Sequence, residues 1–330
     1  MTLLRPSQLD YRAVASVSGA PVDRPWFTRR CLRAALGLLW LAAGVLQLQP
    51  FMFTRGFADD VLGTAALSQP APLHQAIAAV EHLVTMHPAV WNALFAVTEL
   101  LIGAGLVVGR DGLVARVACR CSLAFGLGVW VVGEGLGGLL TGHAAAATGA
   151  PGAALLYCVL TIAAWPRPAT RDAERPPSAR LLAASWTFVW LTGAALAVLP
   201  SQWGVRGLAA QASMGAMMSP SWTAGSAAGL ARWAGGLTPV GAGAISVGLV
   251  GAFVAIALGV RGRGGPPVAA LVAGVAAALS FWVFGQGLGG MSAGTATDVG
   301  TGPLVVLLAL TMIHRPRRHR GEPRRASVRS

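Results

Sequence analysis

The sequence predicts an all-α integral membrane protein with eight transmembrane helices, arranged as two tandem four-helix repeats with both termini cytoplasmic. The first observation is composition: 55% of the residues are hydrophobic, 11% are charged and the mean hydropathy is +0.62. A chain of 330 residues with so little polar surface is typical of membrane proteins rather than water-soluble globules. The second observation is a set of eight apolar runs, and the third is an internal repeat.

The repeat is visible directly in the residue letters. WVVGEGLGGLLTGHAAAATGAP at 130–151 recurs, without a gap, as WVFGQGLGGMSAGTATDVGTGP at 282–303. A repeat of this kind predicts that one structural unit is used twice. The predicted units are a cytoplasmic amino-terminal tail (1–30), the first membrane repeat (31–166), a cytoplasmic linker (167–180), the second membrane repeat (181–314) and a basic cytoplasmic tail (315–330).

The eight runs are counted against the thickness of a bilayer, which needs roughly 17 to 25 residues of apolar helix. The fourth and eighth runs are the shortest, and each is entered through Gly and Pro. Both are nevertheless counted as spans, because four spans per repeat return the chain to the same side. The predicted spans are 32–50, 89–109, 117–140, 150–165, 181–200, 239–260, 267–288 and 301–314.

The positive charges orient these spans. All 25 basic residues are Arg, and the eight-span arrangement leaves only Arg55, Arg206 and Arg232 outside, which is a strong positive-inside bias. The net charge of +13 is therefore explained by topology and by membrane lipid as a partner, without nucleic acid. High Arg, Ala and Gly with no Lys further indicates a bacterium with a GC-rich genome, and hence the bacterial cytoplasmic membrane.

Cysteine and histidine are weaker indicators. Cys31, Cys119 and Cys121 fall at cytoplasmic ends of spans and Cys158 falls within one, so we expect reduced thiols rather than a disulfide framework. The external histidines could hold a metal only if they converged, and their spacing fits no established ligand motif. We expect hydrogen-bonded histidines at the membrane interface and assign no metal ligand. These histidines are His74, His82, His87 and His143.

Two long external segments, 51–88 and 201–239, occupy matching places in the repeats. In the first, Leu73, Ile77 and Val84 recur at helical spacing. They predict an amphipathic helix that lies on the outer membrane surface or caps the bundle. A packed lid without chemistry remains an equal alternative.

Glu99 is the main candidate for chemistry. It lies about ten residues into the second span, near the bilayer midplane, on the helical face that carries Asn92 and Gly103. A carboxylate at this depth is costly unless it is protonated, paired or hydrated, and is a functional candidate for that reason. The alternative is a neutral carboxyl group hydrogen-bonded to a neighbouring helix. The second repeat has Val250 here, so the chemistry would belong to the first.

Glu134 is the second candidate for proton exchange, and its counterpart Gln286 loses the charge. It lies within a glycine-rich stretch that spells GxGxxG, but the strand and soluble βαβ unit of a dinucleotide site are missing. The glycines are interpreted first as surfaces on which helices pack closely. They are Gly126, Gly128, Gly133, Gly137, Gly285 and Gly289.

Three further residues are candidates for ligand contacts at the outer mouth: Arg55, Trp130 and His143. Arg55 could hold an anionic or carbonyl-bearing ligand, or instead pair with a nearby acid such as Asp59. His143, like the two glutamates, is replaced in the second copy, where Thr295 stands.

The first repeat resembles the DoxX-like family of four-helix bacterial membrane proteins, which includes quinone-reducing thiosulfate dehydrogenase subunits. The likeness is carried by LGLLWLAAG at 36–44, the Gly56-Phe57 turn and ELLIGAGLVVG at 99–109, and covers roughly residues 33–165. The resemblance implies a four-helix bundle linked to redox or quinone chemistry. It also implies that Glu99 corresponds to the glutamate in the second helix of the family. The tandem arrangement and Val250 depart from the family pattern.

Three functions remain open at this point. The first is a quinone-linked protein, or an accessory to a membrane or periplasmic oxidoreductase, in which Glu99 or Glu134 exchanges protons with a quinone in an apolar cleft. The second is a small-solute or proton-coupled transporter built from parallel repeats. The third is an assembly factor without chemistry, so whether the protein is an enzyme stays undecided.

Overall fold

The computed structural model describes residues 27–109, 112–166, 176–261 and 268–313, and within these ranges every regular element is helical. The predicted tail 315–330, nearly all of the tail 1–30 and most of the linker 167–180 lie outside the described residues. The longer helices are α1 (Arg29–Leu46), α2 (Ala71–Met86), α3 (Pro88–Val108), α4 (Leu113–Gly128), α5 (Ala153–Ala163), α6 (Ala179–Ala197), α7 (Gly204–Met218), α8 (Ser221–Gly235), α9 (Pro239–Gly259), α10 (Val268–Phe284) and α11 (Thr301–Met312).

Among the described residues, five helical segments are long and apolar enough to cross a membrane. They are Pro88–Val108, Leu113–Gly133, Ala179–Ala197, Pro239–Gly259 and Val268–Ala293. Their outward side chains are apolar, for example Val240 at 84% exposed, Val108 at 76% and Leu101 at 68%. Water would disfavour such a surface, whereas hydrocarbon would not. The helices are therefore those of a membrane protein.

The fourth and eighth predicted spans are shorter than expected. α5 has 11 residues and α11 has 12, which at 1.5 Å per residue gives about 17 Å, well below a hydrocarbon core of about 30 Å. Most side chains of both helices are nevertheless buried. Non-helical backbone can precede them at membrane depth because protein, and not lipid, surrounds it.

The two halves pack alike. α1 packs on α3 and α6 packs on α9, while α4 lies against α5 and α10 against α11. α5 and α11 contact each other, and each also contacts the first helix of the opposite half, so they form the seam between the halves. In the first half, Trp40 Nε1 donates to Ser122 Oγ at 2.9 Å. In the second, Trp186 Nε1 donates to the Ile256 carbonyl at 2.9 Å.

The helix predicted from the spacing of Leu73, Ile77 and Val84 is confirmed as α2. Ile77 is 0% exposed and Val84 is 1% exposed, so the predicted apolar face points into the protein. α2 packs against the π-helical turn Ala58–Gly63. It caps the first half, as one of the two predicted arrangements requires. The matching segment of the second half holds α7 and α8, which pack on each other.

The repeated glycines form a left-handed turn, which their interpretation as helix-packing surfaces missed. Gly135 has φ 53° and Gly287 has φ 54°, and Gly138 and Gly290 have φ 69° and 77°. The residues between them, including Leu136 at φ 57°, are also left-handed. Side chains with a Cβ avoid this region, whereas glycine adopts it readily. The GxGxxG-like spelling therefore reflects a backbone turn that ends α4 and α10.

Among the glycines interpreted as packing surfaces, Gly126 is the clearest success. A Cβ there would lie 2.9 Å from Cys158 Sγ, so Gly126 lets α4 and α5 approach closely. A Cβ on Gly128 would meet no atom within 4 Å, so this glycine supports no packing. Gly137 and Gly289 both have positive φ angles, and a Cβ on Gly137 would overlap the Pro151 carbonyl.

The two copies align without a gap in sequence, but their structures do not match over the whole repeat. Trp130 Nε1 donates to the Pro151 carbonyl and Trp282 Nε1 to the Val299 carbonyl, both at 2.8 Å. Val299, and not Pro303, is thus the structural counterpart of Pro151. Pro303 lies inside α11, whereas Pro151 precedes α5. The second copy reaches its last helix four residues sooner, which can be seen only from the hydrogen bonds.

Two glycines that both have a positive φ angle provide a matched test of this turn. Gly137→Ala should lower the free energy of unfolding by several kcal/mol, because left-handed strain of about 1 kcal/mol is added to the overlap with Pro151. Gly142→Ala should cost about 1 kcal/mol, since φ is 74° but nothing lies within 4 Å. Thermal unfolding of the two variants in detergent measures the difference. Equal losses would contradict the assigned overlap.

Candidate functional site

A cavity with a volume of about 360 Å³ lies in the first half. Helices α1, α3, α4 and α5 form its walls, while α2 and the turns before it cover one end. The second half contributes the short segment that contains Thr297 and Asp298. The side chains that matter below are Trp40, Gln47, Phe57, Phe95, Glu99, Phe125, Glu134, Tyr157 and Asp298.

Glu99 lies on the buried face of α3 together with Asn92 and Gly103, as the sequence predicted. It is the twelfth of 21 residues in this helix, so at 1.5 Å per residue it lies about 17 Å from the start and about 14 Å from the end. The side chain is 5% exposed. The Gln47 side chain donates a hydrogen bond to Glu99. Asn92 Nδ2 in turn donates to the backbone carbonyl of Gln47 at 2.7 Å. Glu99 Oε2 has no hydrogen-bond partner among the described residues.

Glu134 follows the π turn that ends α4 at Gly133. Its Oε1 accepts a hydrogen bond from the Ala154 N–H at 2.9 Å, in the first turn of α5. The positive end of a helix dipole favours a carboxyl group at that place. No hydrogen-bond partner of Glu134 Oε2 is found in the described part of the chain. A Cβ on Gly152 would overlap this carboxyl group, which explains why the residue before α5 is glycine.

Asp298 is the functional candidate that sequence reasoning missed. It belongs to the second half, yet it lines the cavity of the first, and its charge acts on both Glu99 and Glu134. Its Oδ1 accepts a hydrogen bond from the Gly300 N–H. In the sequence it stands out only as an acid where the first copy has Ala146. Nothing in the sequence indicates that it crosses to the other half.

The first half likewise extends a loop into the second half. Ala145, Ala146 and Ala147, from the loop before α5, line a pocket of about 40 Å³ among the helices of the second half. Gln202 Nε2 of that half donates to the His143 carbonyl at 2.6 Å. Each half therefore inserts a short loop into the other, and the inserted loop carries a carboxylate in one direction and alanines in the other.

Burial changes the acidity of two carboxyl groups, Glu134 and Asp298, that lie outside the five helical segments long enough to cross a membrane. Burial, and to a smaller extent the charge of Asp298, raise the pKa of Glu134 to about 8, although the backbone hydrogen bonds from Ala154 and Ala153 oppose the shift. Burial also raises the pKa of Asp298, against the hydrogen bond from Gly300. Adjacent carboxylates in a poorly solvated cavity cannot all carry charge at low cost. The site therefore holds protons near neutral pH.

Aromatic rings form the apolar wall of the cavity. The Trp40 and Tyr157 ring centroids are 4.5 Å apart, and the Trp40 and Phe125 centroids are 5.8 Å apart. Phe95 continues the row, 6.2 Å from Phe125. The Tyr157 hydroxyl donates to the Leu39 carbonyl at 3.3 Å, and all three carboxyl groups act on it electrostatically. A flat ligand could lie on these rings with its polar edge toward the acids.

The three predicted ligand contacts at the outer mouth lie elsewhere. Arg55 is exposed and is absent from the cavity wall. Trp130 holds the backbone before α5 through its bond to the Pro151 carbonyl. His143 is exposed, and its backbone joins the halves. Of the five predicted site residues, the structure brings together Glu99 and Glu134.

The cysteines are all free, with Cys119 and Cys158 buried. Within the part of the chain that the structure describes, no group of three His, Cys, Asp or Glu side chains could hold a metal ion. His74 Nδ1 instead lies 3.0 Å from the Ala66 carbonyl.

The pockets found against the helices of the second half are small. Its described pockets measure about 40 and 30 Å³, and Val250 stands where Glu99 would be. Gln286 takes the place of Glu134, and its Oε1 accepts from Thr301 N at 3.3 Å and from Thr301 Oγ1 at 3.0 Å. The second half keeps the hydrogen bond across the turn but has lost the acid.

Comparison with protein-family models, with curated proteins and with solved structures gives no match. The chemistry of the site therefore follows from its own residues. Two carboxyl oxygens, Glu99 Oε2 and Glu134 Oε2, lack partners in an aromatic cavity. Such groups can donate a proton to, or accept one from, a carbonyl or hydroxyl group of a ligand.

Proposed function

We propose that this protein binds a membrane quinone in the cavity of its first half and exchanges protons with it through Glu99 and Glu134. The observation that carries the proposal is the pair of unpartnered carboxyl oxygens on a wall of aromatic rings. A lipid-soluble quinone presents the matching features, namely a flat ring and two carbonyl oxygens. When bound, it takes up two electrons and two protons to become the quinol.

The residues of the chain would supply the protons and the position. Glu134, protonated up to a pH of about 8 because burial raises its pKa, can donate its proton to a carbonyl oxygen at neutral pH. Glu99, held by Gln47, can act in the same way on a second oxygen. Asp298 makes it costly for both glutamates to be ionised together. In this proposal an oxidoreductase partner in the membrane or periplasm delivers the electrons.

The wider setting belongs to the same proposal. The protein would lie in the bacterial cytoplasmic membrane, as eight membrane segments in two repeats with both termini cytoplasmic. The matching pairs α1 on α3 and α6 on α9, together with the matching left-handed turns, support the two repeats. The resemblance of the first half to the DoxX-like family supports a link to quinone or redox chemistry.

Binding of a benzoquinone with a decyl tail to the purified protein tests the proposal. We expect saturable binding in detergent, measured by equilibrium dialysis. Phe125→Ala should weaken it about tenfold, which corresponds to about 1.4 kcal/mol, because Phe125 contributes a wall of the cavity. Phe188→Ala is the matched control, since Phe188 is 49% exposed on α6. Absence of binding, or an equal effect of both variants, would contradict a quinone site.

A second candidate function is proton-coupled transport of a small solute. The observation that favours it is the pair of non-helical glycine turns that follow α4 and α10, because transporters often bind solutes where membrane helices are interrupted. Uptake into proteoliposomes that requires a proton gradient and disappears in Glu99→Gln would favour it over quinone chemistry.

A further inference from the structure

The cavity opens sideways on the outer surface of α4. Ala124 and Gly128, one helical turn apart, line the cavity and are also exposed. They share this exposed face with Val117 and Leu127, which are 44% and 46% exposed. The opposite face of α4 is buried through Ala118 and Ser122. The opening therefore lies on an apolar helix surface of the kind that meets lipid.

The opening lies well inside the span. The helical run Leu113–Gly133 has 21 residues, and at 1.5 Å per residue Ala124 lies about 17 Å and Gly128 about 23 Å from its start. Both positions fall within a hydrocarbon core of about 30 Å. The residues at the opening are small, and a Cβ on Gly128 would meet nothing within 4 Å. A gap remains there, because no side chain fills it.

Glu99 and Gln47 are the most deeply buried acid and amide of the cavity wall. Glu99 and Gln47 are 5% and 4% exposed, and each has one side-chain oxygen without a partner. The rings of Phe95 and Phe125 lie 6.2 Å apart in the wall of the same cavity. A ligand that fits this order has a polar, flat head and an apolar remainder directed to the opening.

We propose that the cavity receives its ligand laterally from the bilayer, with a carbonyl-bearing head at Glu99 and an aliphatic tail leaving between Ala124 and Gly128. This inference rests on the proposed quinone function and adds a substrate class, the long-tailed amphiphile. A small, water-soluble molecule would gain nothing from an opening that faces hydrocarbon, whereas a tail that stays in lipid avoids contact with water as the ligand enters.

The test compares dimethoxymethylbenzoquinone with and without a decyl tail, in protein reconstituted into phosphatidylcholine nanodiscs. Affinities are expressed relative to the quinone dissolved in the lipid, so that partitioning of the tail does not count as binding. In the wild type we expect both to bind. Gly128→Phe should weaken the tailed compound at least tenfold while changing the tail-less compound less than threefold, since the new ring fills the opening and not the head site.

Leu127→Phe provides the matched control. It adds a ring to the same exposed face but does not line the cavity, so neither compound should change. The backbone at Gly128 is ordinary right-handed helix, φ −60° and ψ −48°, so phenylalanine there introduces no strain. Circular dichroism and thermal unfolding of both variants verify folding.

The outcomes separate the two proposals. Wild type that binds both compounds, with Gly128→Phe unchanged toward the tailed one, overturns the lateral opening and leaves the quinone site intact. Equal loss of both compounds in Gly128→Phe also overturns it, because the head site itself would then lie at Gly128. Wild type that binds neither compound overturns the quinone function and the lateral opening together.

Discussion

Glu99→Gln is expected to slow formation of quinol on the protein by about 100-fold, because a positioned acid in proton transfer contributes a factor of this order or more. Glutamine keeps the shape and the hydrogen-bonding edge but has no proton to give. Quinone affinity should change little. Reduction of the bound quinone at an electrode, which supplies the electrons directly, measures the rate without a partner protein.

Asp60→Asn is a suitable control for this experiment. Asp60 is an exposed acid in the π-helical turn Ala58–Gly63, outside the cavity wall, so its removal should leave the rate unchanged. Glu134→Gln should also slow the reaction, since Glu134 reaches the same cavity. A wild-type rate in Glu99→Gln would contradict the role of Glu99 as a proton donor.

Raising the pH from about 5 to about 8 is expected to destabilise the wild-type protein. Burial raises the pKa of Glu134 to about 8 when the protein is folded, whereas an unfolded glutamate titrates near 4.3. Between these values the folded state binds more protons. The free energy of unfolding therefore falls as the pH rises, by up to about 1.4 kcal/mol per pH unit for one group. Asp298, whose pKa burial also raises, adds a change of the same sign.

The melting temperature in detergent, measured at several pH values, checks this expectation. Glu134→Gln should flatten the dependence and raise the melting temperature at pH 8, because the amide carries no charge to bury. The second half indicates that the substitution is tolerated, since Gln286 accepts a hydrogen bond from the first residue of α11. Asp60→Asn should leave the slope as it is. A slope in Glu134→Gln equal to the wild type would place the titration elsewhere.

Much of the fold follows from local pattern. The helices α3, α6, α9 and α10 lie where apolar runs were found, since a run of about 20 apolar residues has few stable alternatives in lipid. The short helices α5 and α11 were overestimated, because a run of apolar letters does not reveal that the backbone before the helix is irregular and buried. The composition likewise indicated glycine-mediated packing, while the φ angles at Gly135 and Gly287 depend on a turn that no composition specifies.

The sequence by itself determined the membrane class, the place of Glu99 within its helix and the loss of acids between the two copies, since each follows from the order of residues along the chain. The tertiary structure alone decided that Glu99 and Glu134 face one cavity and that Asp298 joins them from the other half. It also decided that Arg55 and His143 lie outside this cavity. These contacts join residues far apart in the chain, and the packing of the halves across α5 and α11 fixes them.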